Sequence, residues 1–297
     1  MTIQASNKFG IEIELLGLNR QQAANKVAEH FGTQARWDGG HYDRYIVGSP
    51  VGTWMFVTDG SLGSGQSCEV VSPPMKYSEM DVLQDVVRVL RQADAYVNRS
   101  CGIHVHVDAS RMTPRSLSNI SKMVYAKEKL MFKAFGTLGN RIGSYSRPMS
   151  DSYVNQVVGT RRPSLNTLKR AWYGTRTVES ADSYSRSRYH GTRYHAFNLH
   201  SFYYRGTIEF RYFNGSLHAG KIKSYVQFCL ALRNKAMSAS SASARRREYN
   251  PETAKYDMRT WLLALGMVGE EFKTARHHLL KRLPGDSAYR RGRPQSA

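Results

Sequence analysis

The chain has 297 residues and 41% hydrophobic content, enough to build a core in one large domain or two smaller ones. No apolar run approaches the ~18–20 residues needed to span a bilayer, and the opening residues MTIQASNKFG lack a secretory signal pattern, so we expect a cytoplasmic protein with no membrane partner. The net charge of +20 favours an anionic partner, such as a nucleotide, a nucleic acid or a phosphorylated or carboxylated substrate.

Cysteine usage agrees with a reducing compartment. Cys68, Cys101 and Cys229 are widely spaced, odd in number and include no CxxC pair. This pattern is typical of reduced structural thiols rather than of a disulfide framework or a zinc site.

Hydrophobic periodicity predicts alternating strands and helices in the first third of the chain. An opening strand leads into a helix with apolar residues at helical spacing. A Gly-rich stretch of strands and turns follows, then a strand stopped by two prolines and a second amphipathic helix. The bounds are 8–16 (strand), Arg20–Phe31 (helix), Asp38–Leu62 (strands and turns), 68–75 (strand) and Asp81–Ala95 (helix).

The middle of the chain is less regular. A helix is predicted over Leu117–Phe135, after a proline of the kind tolerated in a first turn. Residues 140–195 show no sustained period and are rich in Arg, Ser, Tyr and Gly, so we predict long ordered loops with at most a short helix near 164–172. The later elements are a hairpin of 194–204 with 207–213 and a helix over His218–Met237.

Composition also predicts how the chain divides. The Ser/Ala/Arg-rich segment 238–250 is the best candidate for a linker. Residues 1–237 would then form one main domain, 251–284 a helical segment packed on it, and 285–297 a disordered basic tail. The mixture of strands and helices predicts an α+β fold.

Positive charge is concentrated in the middle of the chain. Residues 141–211 contain eleven arginines and one lysine but only four acidic residues, with many tyrosines interleaved. Arginine combined with aromatic side chains suits nucleic acid. It equally suits a nucleotide pocket, in which guanidinium groups hold phosphates and a ring stacks on the base.

Three short strands carry ionisable groups on one face and apolar side chains on the other. They are FGIEIE at 9–14, CGIHVHVD at 101–108 and TIEFRY at 207–212. Side chains two residues apart on a strand point the same way. The pairs that share a face are Glu12 with Glu14, His104 with His106, and Glu209 with Arg211.

This arrangement predicts a metal site on the front face of a sheet. Glu12, Glu14, Glu69 and Glu209 would repel one another on one face unless cations lay between them. Oxygen ligands with a single imidazole, from His104, suit Mg²⁺ or Mn²⁺ better than Zn²⁺. Arginine beside a metal-binding carboxylate is what phosphoryl transfer requires. Neither a P-loop nor a Rossmann glycine pattern is found.

Together the motifs resemble one family. FGIEIE, DGSL…CEVVSPP, CGIHVHVD and FNLHS…GTIEFRYFNGSL occur in the order and spacing of the amidoligases, carboxylate–amine ligases similar to glutamine synthetase. The resemblance covers about residues 8–235. It implies a glutamine synthetase-like antiparallel half-barrel packed with helices, which binds ATP and two or three divalent metals.

The resemblance also implies roles for individual residues. Glu14 and Glu69 would hold one metal, and Glu12, His104 and Glu209 would share the metal that bridges the nucleotide phosphates. His106 would contact phosphate and Arg211 would stabilise the phosphoryl group in transfer. Asp59 and Asn198 would hold substrate or orient ligands. Further phosphate contacts would come from Arg141 and Arg147.

Two departures from the synthetase pattern affect these expectations. The third glutamate of the first metal is missing, and Glu79, the nearest candidate, lies beyond two prolines in a different context, so the first metal is expected to be weakly held or absent. The small N-terminal domain of the synthetases is also missing, which leaves the oligomeric state open.

The function that follows is an ATP-dependent ligase that joins an unidentified carboxylate to an unidentified amine through an acyl phosphate. Two other classes stay open. One is a basic nucleic-acid-binding protein with a vestigial ligase face. A hybrid of this class and the leading one is a ligase whose substrate is linked to nucleic acid or protein. The other is a metal-dependent hydrolase, which would not need Arg211 or a metal-bridged nucleotide.

Overall fold

The structure, a computed structural model, describes residues 3–63 and 65–290. Its mixture of helices and antiparallel strands confirms the α+β class. The chain separates into two compact units. We call Gln4–His106 with Phe213–Val226 the strand unit. The helical unit is Ile3, Val107–Tyr212 and the described residues from Gln227 onward.

The strand unit contains most of the sheet. Its strands are β1 (Lys8–Leu16), β2 (Ala35–Gly39), β3 (Arg44–Ser49), β4 (Gly52–Val57), β5 (Ser67–Val71), β6 (Met75–Lys76) and the larger part of β7 (Gly102–Asp108). Its helices are α1 (Arg20–Phe31) and α2 (Met80–Gln92). The strand and helix predictions for this part of the chain are confirmed within a few residues.

The position of β1 organises the strand unit. The strand order is β2-β3-β4-β5-β1-β7, and β6 pairs with the start of β1. Ile11, Ile13 and Leu15 of β1 are fully buried, which leaves the alternate residues on the other face. Helix α1 starts with a capping box at Asn19 and packs on β3 and β4. The apolar face of β1 is therefore fixed in the core.

The helical unit is built around one long helix. Its helices are α3 (Pro114–Phe135), α4 (Gly139–Gly143), α5 (Asp151–Gly159), α6 (Leu165–Tyr173), α7 (Val178–Arg186), α8 (His200–Arg205), most of α9 (Ala219–Ser238), α10 (Ala254–Ala264) and α11 (Lys273–Leu280). Its strands are β8 (Phe197–Asn198) and most of β9 (Thr207–Asn214). Helix α3 packs against α5, α6, α10 and α11.

The prediction of long loops over residues 140–195 is wrong. The segment forms four short helices, α4 to α7. Ser150, Ser164 and Thr177 each cap a helix with a side-chain oxygen. Helix α6 matches the short helix predicted near 164–172. Helices α4, α5 and α7, of five to nine residues, are too short to show a sustained apolar period and were not predicted.

The predicted hairpin is only partly formed. Phe197–Asn198 pairs antiparallel with β9, but the residues that follow turn into α8 instead of continuing as a strand. Asn198 causes the turn, since its side-chain oxygen accepts a hydrogen bond from His200 N at 2.8 Å.

The C-terminal part is anchored through side chains. Residues 239–250 have no regular secondary structure, but Arg246 lies 3.6 Å over the Tyr125 ring and pairs with Asp151 at 3.1 Å. Part of the tail predicted to be disordered forms a turn capped by Asp286, and residues 291–297 lie outside the described residues.

All three cysteines are buried thiols. Across residues 3–63 and 65–290, no helix is both long and apolar enough to cross a membrane.

A buried carboxyl group ties helix α3 to its surroundings. Glu128 is 2% exposed, accepts hydrogen bonds from Met149 N and the Tyr212 hydroxyl, and lies 3.6 Å from Arg246. Burial raises its pKa to about 7, against the opposing effect of these hydrogen bonds.

This pKa predicts a pH-dependent loss of stability. Between pH 4.5 and about 7 the folded protein binds more protons at Glu128 than the unfolded chain, so the free energy of unfolding should fall as the pH rises through this window. Glu128→Gln, which stays neutral, should gain roughly 2–3 kcal/mol relative to the parent between pH 5 and 8. Urea unfolding at several pH values, with the exposed Glu29→Gln as control, measures this. Parallel profiles for Glu128→Gln and the parent would contradict it.

Candidate functional site

Like charges face each other across the central strand pair of the strand unit. Glu14 on β1 is the direct antiparallel partner of Glu69 on β5, and Glu12 lies opposite Val71. Like charges placed directly opposite one another destabilise a sheet. Glu14 is 4% exposed, so solvent does little to screen the repulsion. A cation between the carboxylates would remove it.

Asp59 supplies a third carboxylate to this pair. Oxygen atoms of Glu14, Asp59 and Glu69 all lie within 4.8 Å of one another. Strand β4 ends at Val57, the register partner of Glu69, which brings Asp59 beside β5. Asp59 also starts a short 3₁₀ turn, where it accepts a hydrogen bond from Ser61 N at 2.6 Å. An all-oxygen set of this kind suits Mg²⁺.

A second group uses Glu69 again. Ligand atoms of Glu12, Glu69 and His104 lie within 4.8 Å of one another. The His104 ring is 3% exposed and contacts both glutamates of β1, with Nδ1 2.9 Å from Glu12 and Nε2 3.7 Å from Glu14. Glu69 thus belongs to two adjacent clusters of potential ligands, and both clusters are made by the strand unit.

Two further contacts position the β1 glutamates. His106 Nε2 lies 3.3 Å from Glu12, and Gly102 N donates to Glu14 at 2.6 Å. Burial opposes ionisation of the Glu12 carboxyl, but the charge of His106 and the hydrogen bonds from His104 and His106 outweigh it, so the pKa of Glu12 lies well below its usual value. Glu12 is therefore a carboxylate at neutral pH.

The carboxylate that lies beside Glu14 and Glu69 is that of Asp59, upstream of Glu69, and not that of Glu79. Among the described residues, Glu79 stands outside both clusters; it accepts a hydrogen bond from Lys76 N at 2.6 Å and pairs with the Lys76 side chain. The resemblance implies that Asp59 holds substrate or orients ligands, but it does not predict the place of Asp59 beside Glu14 and Glu69. The signal that could have found its place is the turn motif DGS directly after a strand.

In the helical unit, two side chains, one on β8 and one on β9, donate hydrogen bonds to the Glu209 carboxylate. Arg211 Nη1 donates to one carboxylate oxygen at 2.5 Å, and Asn198 Nδ2 donates to the other at 2.6 Å. Glu209, Arg211 and Asn198 are 6%, 7% and 1% exposed. Charge-assisted hydrogen bonds to both oxygens fix the orientation of the carboxylate.

Arg211 is itself positioned by the segment after α4. Its Nε donates to the Tyr145 carbonyl at 3.0 Å, and the Ser146 hydroxyl donates to the Arg211 carbonyl. Of the two arginines expected to contact phosphate, Arg141 is buried in α4, and the Arg147 guanidinium donates to the Gly191 carbonyl. Neither observation tests their predicted roles.

The structure thus groups Glu12, Glu14, Asp59, Glu69 and His104, with His106 at Glu12, in the strand unit. It groups Asn198, Glu209 and Arg211 in the helical unit. The expectation that Glu209 shares an ion with Glu12 and His104 stays a prediction, as do the individual catalytic roles.

Comparison with protein families identifies the class. The family model described as "Putative amidoligase enzyme" matches residues 5–233, and the chain belongs to this family. Membership supports a carboxylate–amine ligase in general terms.

No curated protein matches the chain. Among solved structures, a bifunctional glutathione synthetase from Pasteurella multocida is similar with a TM-score of 0.41 at 13% identity. The similarity covers 93% of this chain and 47% of that one, so the chain spans about half the length of that protein.

The shared position of Glu69 predicts opposite effects of one substitution. Without divalent ions, Glu69→Gln should raise the melting temperature by about 1–3 °C, because it removes the repulsion from Glu14. With millimolar Mg²⁺, the parent should be stabilised and Glu69→Gln should not, because both clusters lose a ligand.

Thermal melts in chelator and in Mg²⁺ measure both effects, and Glu79→Gln is the matched control that should respond to Mg²⁺ like the parent. Equal Mg²⁺-induced shifts in the parent and Glu69→Gln would show that Glu69 holds no ion.

Proposed function

We propose that the protein is an ATP-dependent carboxylate–amine ligase that forms an amide through an acyl phosphate. Family membership supports the class of reaction. The observation that carries the proposal is the placement of Glu69 in two adjacent carboxylate-rich clusters, Glu14–Asp59–Glu69 and Glu12–Glu69–His104. Two neighbouring divalent ions on a bridging carboxylate suit a site that handles a triphosphate.

The donor set fits Mg²⁺ or Mn²⁺. The proposed ligands are five carboxylates and one imidazole: Glu12, Glu14, Asp59, Glu69, Glu209 and His104. Hard oxygen ligands favour Mg²⁺ and Mn²⁺ over zinc. Asp59 would be the third carboxylate, with Glu14 and Glu69, to hold the first metal, which would then be bound more firmly than the sequence alone predicts. ATP with these ions would supply the phosphoryl group and neutralise the charge that develops during its transfer.

The residues of the helical unit have distinct roles in the proposal. Arg211 would stabilise the transferred group, since the Tyr145 carbonyl and Glu209 hold its guanidinium plane in place. Asn198 would orient Glu209 as a metal ligand through its hydrogen bond. His106, Arg141 and Arg147 would contact phosphates. These groups act by position and charge and need not form covalent bonds themselves.

The glutamine synthetase-like half-barrel that the resemblance implies is part of the same proposal. So is a cytoplasmic location. The family does not specify the acid or the amine.

Hydroxylamine trapping tests the reaction without knowledge of the amine. Pools of carboxylic acids with Mg²⁺-ATP and hydroxylamine should give a hydroxamate and ADP in equal amounts, because hydroxylamine captures an activated acyl group. Glu209→Gln and Arg211→Lys should each lower the rate of hydroxamate formation by about 10²-fold or more. The first removes the charge of a carboxylate, and the second keeps the positive charge but loses the planar geometry of the guanidinium.

Glu29→Gln, an exposed carboxylate on α1, is the control and should keep the parent rate. ADP release that does not depend on any carboxylic acid would indicate a hydrolase. Unchanged hydroxamate formation in Glu209→Gln would remove Glu209 from the site.

A further inference from the structure

Guanidinium and phenol groups alternate along one surface of the helical unit. The Arg188 and Arg193 guanidinium carbons each lie 5.4 Å from the centre of the Tyr189 ring. Arg193 also lies 5.2 Å from the Tyr194 ring, which packs edge-on against Tyr145 at 5.8 Å. We call these five residues the arginine–tyrosine ladder.

Backbone bonds hold the ladder in shape. Arg147 N donates to the Tyr194 carbonyl and Ala196 N donates to the Arg147 carbonyl, both at 2.8 Å. The Arg147 side chain donates to the Gly191 carbonyl. Two distant parts of the chain are thereby joined, one carrying Tyr145 and the other the remaining ladder residues. The rings are preorganised, which lowers the entropy lost when a ligand stacks on them.

The ladder is open to solvent and lies in positively charged surroundings. Tyr189 is 62% exposed and Tyr145 41% exposed. The segment 141–211 carries eleven arginines and one lysine against four acidic residues. Two of those acids are engaged away from the ladder, Asp182 with Lys169 and Asp151 with Arg246. The rings are therefore accessible to an anionic ligand.

We propose that the arginine–tyrosine ladder binds single-stranded nucleic acid. Unpaired bases would stack on Tyr189 and on the neighbouring rings, and the arginines between them would contact the phosphates. Binding of this kind tolerates many sequences, because every base has a face on which a ring can stack.

The geometry favours a strand over a single nucleotide. A pocket for one small ligand encloses most of its surface, whereas the ladder presents two exposed rings, Tyr189 and Tyr145, and the half-buried ring of Tyr194. It also favours a strand over an acidic peptide, since a peptide would use the charges but not the repeated ring faces. Duplex DNA stacks its bases internally and offers the rings nothing to stack on.

The ladder ends at the candidate catalytic arginine. The carbonyl group of Tyr145, the last ring, accepts the hydrogen bond from Arg211 Nε at 3.0 Å. A bound strand would thus lie next to the group that we propose stabilises phosphoryl transfer. The binding itself does not depend on ligase activity and can be measured without ATP.

Fluorescence anisotropy with labelled oligothymidylate, a matched duplex and unlabelled competitors tests the proposal. The single strand should bind more tightly than the duplex, and its affinity should fall as salt increases. The double variant Tyr189→Ala with Arg193→Ala should lose about tenfold or more in affinity. Tyr189→Phe keeps the ring and should bind like the parent.

The matched control is the double variant Tyr96→Ala with Arg99→Ala. These two residues are exposed in the strand unit, and their substitution removes the same side-chain groups and the same charge. It should change affinity by less than about threefold. Three results would each overturn the proposal. They are equal losses of affinity in the two double variants, duplex binding as tight as that of the single strand, and displacement by polyglutamate as effective as by oligothymidylate. Since ATP is absent, such a failure leaves the proposed ligase reaction untouched.

Discussion

The register between β1 and β5 is the constraint on which the candidate site depends. It sets Glu14 directly opposite Glu69, a placement that costs stability in a bare sheet. A shift of β1 by one residue would turn Glu12 and Glu14 into the core and expose Ile13. The buried faces of Ile11, Ile13 and Leu15 exclude that shift. Packing of the apolar face therefore keeps the carboxylates together on the opposite one.

The helical unit also contains a buried carboxylate, and side chains of the same unit stabilise it. Glu209 is buried, and a buried carboxylate needs partners. Arg211 and Asn198 supply them, and the chain after α4 in turn supplies the Tyr145 carbonyl to Arg211. The short helices between α3 and β8 are thus more than a surface insertion. The chain segments beside these helices hold the Arg211 guanidinium through the Tyr145 carbonyl and carry the arginine–tyrosine ladder.

Sequence periodicity predicted the elements with long repeats and missed most of the short helices. Strand β1 and helices α1, α2 and α3 were predicted within a few residues, because each has an apolar stripe at the correct spacing. Helices α4, α5 and α7 were missed because they are short, and the starts of α5 and α7 depend on single capping residues, Ser150 and Thr177. The place of Asp59 was missed because a turn brings it beside a strand that lies later in the chain.

The sequence by itself determined which side chains share a face, because alternation along a strand is a local property of the backbone. It therefore predicted the pairs Glu12 with Glu14, His104 with His106, and Glu209 with Arg211. Only the tertiary structure decided which carboxylates meet across strands. That Glu69 is common to both clusters, and that Asp59 rather than Glu79 joins Glu14, follows from strand order and register. Packing of distant segments sets both, and no local pattern encodes them.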